Sequence, residues 1–200
     1  MGSDMQKLTR KDLMSLERYA EERAVFREKV MAHKRNRRLD LGTNAALYFE
    51  DRMTIQYQVQ EMLRIERIFE ADGIRDELDA YNPLIPDGSN WKATFMIEFP
   101  DVDERQQMLQ RLVGVENRVY VQVADFDRIY AISDEDLERS DASKTSAVHF
   151  MRFEFSPEQV TALKSGASLI AGIDHENYSV EICPVADNIR ESLLNDLSVS

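Results

Sequence analysis

Four residues, "ADFD" at 124–127, separate the runs "RVYVQV" (118–123) and "RIYAIS" (128–133). Both runs alternate apolar and polar side chains and are rich in β-branched and aromatic residues, so both read as strands. A parallel pair needs a crossover of a dozen residues or more. Four residues allow only a tight reversal, so this pair is antiparallel. That one short connection removes the all-parallel α/β folds from consideration.

The rest of the chain mixes helices and strands around this pair. Residues 8–37 read as one long helix, with Thr9 as N-cap and Asp12 as its capping-box partner. "ALYFE" at 46–50 reads as a short strand after the turn "DLGTNA". A second helix covers 52–71 and stops at Gly73, and a short helix covers 75–80. "YNPLIPDGSN" (81–90), with two prolines, is a structured loop. "WKATFMIEF" (91–99) is a strand, and Asp101 with Glu104 opens a helix that runs to 113. "DEDLERSDASK" is an acidic excursion, and "SAVHFMRFEF" (146–155) is a further strand. In "SPEQVTALKSG" the order Ser156 cap, Pro157, Gln159 and Gly166 marks a complete helix. Strands at 168–173 and 178–182 and a helix at 185–197 finish the chain. The expectation is an α+β fold, with a largely antiparallel sheet packed by helices and an N-terminal pair of long helices. Residues 5–200 read as a single domain, with a helical part at 5–72 and a mixed part at 73–200; residues 1–4 are set aside.

Apolar residues make up 43 % of the chain, enough for a substantial core, and no apolar run approaches the roughly 18 residues that cross a bilayer. No export signal is visible, and a lone cysteine, Cys183, fits a reducing cytoplasm. In "VEICPV" that cysteine reads as a small buried apolar residue. A formal net charge of −12 repels a phosphate backbone, which argues against nucleic acid as a partner. The basic run "HKRNRR" (33–38) reads as cations closing the long helix, with a docking patch for an acidic partner as the alternative.

Signatures of familiar chemistry are missing. The sequence has no glycine-rich phosphate loop, no paired CxxC and no nucleophile elbow. His33, His149 and His175 have no second ligand at zinc spacing, although a carboxylate-and-glutamine site for a harder cation stays open. The cofactor, like the reaction, is left unknown by these patterns. His149 shares an apolar strand face and reads as a hydrogen-bonded core histidine, while His175 in "GIDHENY" reads as an exposed turn residue.

The helix 52–71 raises the sharper question. Ile55, Val59, Met62, Leu63 and Phe69 form an apolar face that Ile65 and Ile68 widen. Gln58 and Glu61 lie at its edge, and Gln56, Gln60, Arg64 and Arg67 form a solvent-like row. Those polar groups either pair internally or line a cleft against the loop 81–90 and the sheet. The residues that would meet there are Glu50, Gln58, Glu61, Arg64, Tyr81, Asn82, Glu98 and Arg152. In such a cleft a carboxylate acts as a base and an arginine holds an anionic substrate.

The segments "LTRKDLMSLERY", "FEDRMTIQYQVQEMLRIERI", "AYNPLIPDGSNWKATFMIEF" and "SAVHFMRFEF" together resemble a bacterial family catalogued as domain of unknown function 3501. The resemblance spans nearly the whole chain and is most specific from Phe49 to Arg67 and from Tyr81 to Glu98. It implies a setting rather than a reaction. Members are often encoded beside rubrerythrin-like and iron–sulfur, heterodisulfide-reductase-like proteins, which would be the partners, and no catalytic residue carries over. The chain itself lacks the cysteines for an iron–sulfur cluster. Two readings result: an accessory or interaction protein of a redox or oxidative-stress module, or a small-molecule or metal-binding enzyme using the cleft. The mixed helix could also bury its second face in a homodimer.

Overall fold

The computed structural model describes residues 6–198. The expected chain bounds 5 and 200 lie outside them. Six α-helices and nine strands occur among the described residues. They are α1 (Leu16–Lys34), β1 (Arg38–Asp40), β2 (Ala45–Glu50), α2 (Arg52–Glu66), α3 (Ala71–Tyr81), β3 (Asn90–Ile97), α4 (Val102–Arg111), β4 (Val119–Val123), β5 (Ile129–Tyr130), β6 (Ile132–Ser133), β7 (Val148–Glu154), α5 (Pro157–Lys164), β8 (Leu169–His175), β9 (Tyr178–Ile182) and α6 (Asp187–Leu194). The strands form two sheets, β1-β2-β3-β7-β6 and β5-β4-β8-β9. Every pairing within them is antiparallel, so the fold is α+β. No helix among the described residues is long and apolar enough to cross a membrane.

Strand alternation builds the core. Trp91, Ala93, Phe95, Met151 and Phe153 from the first sheet share one hydrophobic cluster with Val119, Val121, Val123, Ala171 and Ile173 from the second. Val160 and Leu163 of α5 and Leu193 of α6 complete it. Trp91 is fully buried, packs edge-on against Phe155 at 4.5 Å, and donates its indole N–H to the Leu193 carbonyl at 2.9 Å. Truncating such a ring to alanine costs about 3–5 kcal/mol, so this residue is a principal tie between α6 and the sheet. A second, smaller cluster joins Leu8, Ile55, Val59, Leu63, Ile74, Leu78 and Ile85 beneath α2 and α3.

The reversal at 124–127 is antiparallel, but the run 128–133 is not one strand. Ile129 and Tyr130 pair with β4, and Ile132 and Ser133 pair with β7 of the other sheet. Buried Ala131 makes the crossing, and its amide donates to the Val119 carbonyl at 2.9 Å.

Several expectations are corrected. The first α-helix runs Leu16–Lys34 rather than 8–37, with Ser15 as its N-cap, because the Thr9–Asp12 capping box closes only a 3-10 turn at Arg10–Asp12. The chain then runs past α2, where Gln60 takes the Met14 amide at 2.6 Å and Gln56 donates to the Asp12 carbonyl at 2.7 Å. Gln60, expected in the solvent-like row, is therefore fully buried. Helix α2 ends at Glu66, where Arg67 adopts a left-handed conformation (φ 55°), so Phe69 lies beyond the helix and is exposed. Gly73 sits inside α3 instead of stopping α2; a Cβ there would meet Ile68 Cγ2 at 2.8 Å. His175 is buried at the end of β8, donating from Nε2 to the Val113 carbonyl and accepting the Asn177 amide at Nδ1. Cys183 is exposed, since it follows the last residue of β9.

Candidate functional site

Alternation in β3 and β7 turns Lys92, Phe150 and Arg152 away from the shared core, onto the outer face of the first sheet. The C-terminal end of α3 and the 3-10 turn Asn82–Leu84 arch over that face. The loop after β6 closes the third side. The resulting cleft encloses about 480 Å³ and is lined by Ala80, Tyr81, Pro83, Leu84, Lys92, Glu135, Asp136, Phe150, Met151 and Arg152. That volume lies in the range of small-molecule sites.

Lys92 and Arg152 stand directly opposite each other across the β3–β7 pair. Like charges in that position are unfavourable, and surrounding groups offset them. Arg152 forks onto Glu135 at 2.9 and 2.8 Å and reaches Glu154 at 2.6 Å. The Arg152 hydrogen bond holds the Glu135 carboxyl below the usual carboxylate range. Lys92 donates to the Pro83 carbonyl at 2.6 Å and lies 3.2 Å from Asp87.

The loop wall is anchored from below. His149 is fully buried, with Nδ1 2.6 Å from Asp134 and Nε2 2.9 Å from Thr145 Oγ1. Asp134 also accepts the Phe150 amide, and Thr145 donates to Glu116 at 3.1 Å. A carboxylate, an imidazole and a hydroxyl in line resemble a nucleophile-activating chain. Here Thr145 is 2 % exposed and its hydroxyl already donates to a carboxylate, so a substrate carbonyl has no approach. The arrangement is an anchor for the segment that begins at Asp134, consistent with the reading of His149 as a hydrogen-bonded core residue.

Of the eight residues expected to meet, Tyr81 and Arg152 line this cleft. Asn82 lies in the arch but turns away, bonding the Leu8 amide and carbonyl at 2.7 and 3.0 Å. Glu50 accepts the hydroxyls of Thr54 and Thr94. Gln58 is half-buried on α2. Glu61 pairs with Arg23 of α1 at 2.7 and 2.9 Å, with the Tyr19 hydroxyl at 2.7 Å and with Arg64 at 3.0 Å. The Arg23 hydrogen bond, with help from Arg64 and Tyr19, holds Glu61 down to about 2 against the opposing effect of burial. Glu98 accepts from the Tyr48 hydroxyl at 2.6 Å and from Arg38 at 3.3 Å. The polar edge of α2 thus faces α1, and the cleft lies between α3, its following turn and the sheet.

Sequence reasoning left out Lys92, Phe150, Glu135 and Asp136 from the cleft, and it missed the buried cluster around Arg37. The alternation of β3 and β7 is the signal that separates Lys92 and Phe150 from the core face; the register that sets Lys92 opposite Arg152 has no local signal. Arg37, read as part of a helix end, is 2 % exposed. It donates to the carbonyls of Phe49 and Glu50 at 3.0 Å each, pairs with Asp196 at 2.5 Å and lies 3.5 Å from Asp51. Burial pushes Asp196 up to about 6 despite Arg37. Burial also acts to raise Asp51, but the His33 hydrogen bond and the Arg37 charge outweigh it and hold Asp51 low.

A second cavity of about 430 Å³ lies between the start of α1 and the α2–α3 corner. Its lining mixes polar and apolar surface, with Arg10 and Glu17 as its charged lining residues. Among the described residues no three His, Cys, Asp or Glu side chains form a group that could hold a metal ion.

Comparison with known proteins adds a family. No curated protein matches the chain. A crystal structure of a novel protein of unknown function from Burkholderia pseudomallei K96243 is similar at 49 % identity, with a TM-score of 0.91 over 96 % of this chain and 100 % of that one. The model of the family described as protein of unknown function (DUF3501) matches residues 7–197. The chain belongs to that family.

Proposed function

We propose that this protein is an accessory binding protein of a bacterial redox module, working in the cytoplasm, and that the cleft under the 81–84 arch is where it binds. The observation that carries the binding reading is the make-up of the cleft. Its cations are already held by carboxylates, its further carboxylate Asp136 is paired with Arg139, its remaining walls are largely apolar, and among the described lining residues none is Ser, Thr, Cys or His. Such a lining suits recognition better than bond-breaking. The redox partner class, rubrerythrin-like or iron–sulfur proteins, rests on the family resemblance of the sequence.

The cavity volume favours a second reading, a small-molecule enzyme using the same cleft. Glu135 would be its base, and it would first have to leave Arg152.

The test is native mass spectrometry of protein purified from its own host, followed by capture of neighbouring redox proteins with wild type and with Arg152→Gln. Retained redox proteins, or a retained small molecule lost in Arg152→Gln, support binding at the cleft. A bare apo mass with no captured redox protein would sink the accessory reading. Turnover of a retained molecule would replace it with the enzyme reading.

A further inference from the structure

We infer that Glu135 is a built-in stand-in for the carboxylate of the ligand, and that the cleft takes an amphipathic monocarboxylate with an aryl or medium-length alkyl body. This rests on the reading of the cleft as the binding site.

The geometry of Arg152 carries the inference. Its Nε and Nη2 meet the two Glu135 oxygens at 2.9 and 2.8 Å, the parallel fork that a free carboxylate adopts on a guanidinium. The third nitrogen, Nη1, is committed separately to Glu154. Removing Glu135 therefore frees one complete two-pronged site and leaves the other contact in place.

The two sides of that fork differ in burial. Arg152 is set inside the sheet, on β7 between β3 and the edge strand β6, with its side chain 25 % exposed. Glu135 is the second residue past the end of β6 and its side chain is 53 % exposed. The residue before it, Asp134, is pinned by His149 and by the Phe150 amide. The backbone pivot is thus fixed while the carboxylate arm reaches through solvent. Exposed ion pairs contribute little, because holding a long side chain in place offsets the attraction. An incoming carboxylate that also buries an apolar body has the advantage.

The surroundings specify that body. Phe150, Tyr81, Pro83 and Leu84 line the space beside the fork. Lys92, directly across the strand pair from Arg152, is held by the Pro83 carbonyl and Asp87, so the anionic head is assigned to the Arg152 fork alone. Replacing Glu135 by another carboxylate keeps the charge around Arg152 unchanged.

The probe is 2-naphthoate, titrated beside neutral 2-naphthamide and followed by chemical-shift changes at the methyl groups of Leu84 and Ala80, both in the cleft lining. In wild type the naphthoate binds and shifts these methyls, and the amide binds at least tenfold more weakly. Glu135→Gln and Glu135→Ala each tighten naphthoate by about two- to fivefold, the typical worth of an exposed pair, and leave the amide unchanged. Arg152→Gln abolishes the preference for naphthoate. Equal naphthoate affinity in wild type and both Glu135 variants, with the methyls still shifting, overturns the stand-in and leaves the binding site intact. Equal affinity for acid and amide overturns the carboxylate class. The absence of methyl shifts with either probe in any variant removes the cleft as a site for this class and the stand-in with it.

Discussion

Glu61 and Glu135 are both gripped by an arginine fork, yet they stand in opposite surroundings. Glu61 is 13 % exposed and is shared by Arg23, Arg64 and Tyr19 across the α1–α2 contact. Glu135 is 53 % exposed and is held by Arg152 at the mouth of a cleft. The chemistry of the pair is the same; what differs is the number of partners and the access of water. A carboxylate with three partners between two helices is part of the scaffold. A carboxylate with one partner and a free path to solvent can be exchanged for another. Arg37 marks the far end of the same scale, with its charge sealed between Asp51 and Asp196 and its nitrogens spread over three backbone carbonyls.

That ordering predicts the size of the response to mutation. Arg37→Met should have the largest effect. It strands Asp196, leaves Asp51 to His33 and the Thr54 amide, and frees the carbonyls of Phe49, Glu50 and Ser192. Removing one partner of a buried ion pair costs about 3–5 kcal/mol, read from urea unfolding at pH 7. The pH dependence sharpens this. Asp196 has a folded value of about 6, above its ordinary 3.8. A raised acid stabilises the fold fully below 3.8, and that contribution is lost as pH rises through 6. Below pH 6 the stranded Asp196 takes a proton and sheds its charge, so the penalty of Arg37→Met should shrink there. A penalty below about 1 kcal/mol at pH 7 would show that the cluster is not sealed.

Glu61→Gln comes next, with a loss of about 1–3 kcal/mol from hydrogen bonds to a charged group. Its pH signature has the opposite sign. Glu61 is depressed from 4.5 to about 2, so its stabilisation is present above 4.5 and is lost as pH falls towards 2. The gap between wild type and Glu61→Gln in urea midpoint should therefore be full at pH 6 and narrow steadily below pH 4.5. A gap that does not change with pH would mean that packing, rather than charge, is what the substitution removes.

These two clusters also show why the sequence disclosed some of the molecule and hid the rest. Periodicity is local, and what it governs was legible: the alternation that buries Trp91, Phe95 and Phe153, the Ser156–Gln159 capping box, and the antiparallel reversal at 124–127. A polar edge on α2 was also legible in Glu61. The partner of that edge was not, because Arg23 lies 38 residues away and nothing in its own helix marks it. Arg37 was harder still, since its partner Asp196 is 159 residues distant and the run around it reads as an ordinary basic helix end. The cleft depended on register. Lys92 opposes Arg152 only once β3 and β7 are aligned, and Glu135 reaches them only because the chain changes sheets at Ala131.

The smallest effect should come from Glu135→Gln. An exposed pair contributes about 0–1 kcal/mol, and the amide that replaces the carboxylate keeps one hydrogen bond to Arg152. Lys92 and Arg152, opposed across the strands, lose one of their compensating charges, which sets the sign as slightly destabilising. Added salt screens that repulsion over about 8–10 Å at moderate ionic strength, so the difference from wild type should fade as salt is raised. Urea unfolding at low and high salt checks this directly. A loss of about 2 kcal/mol or more that persists in high salt would place Glu135 with Glu61 among the structural carboxylates and end the distinction between the two forks.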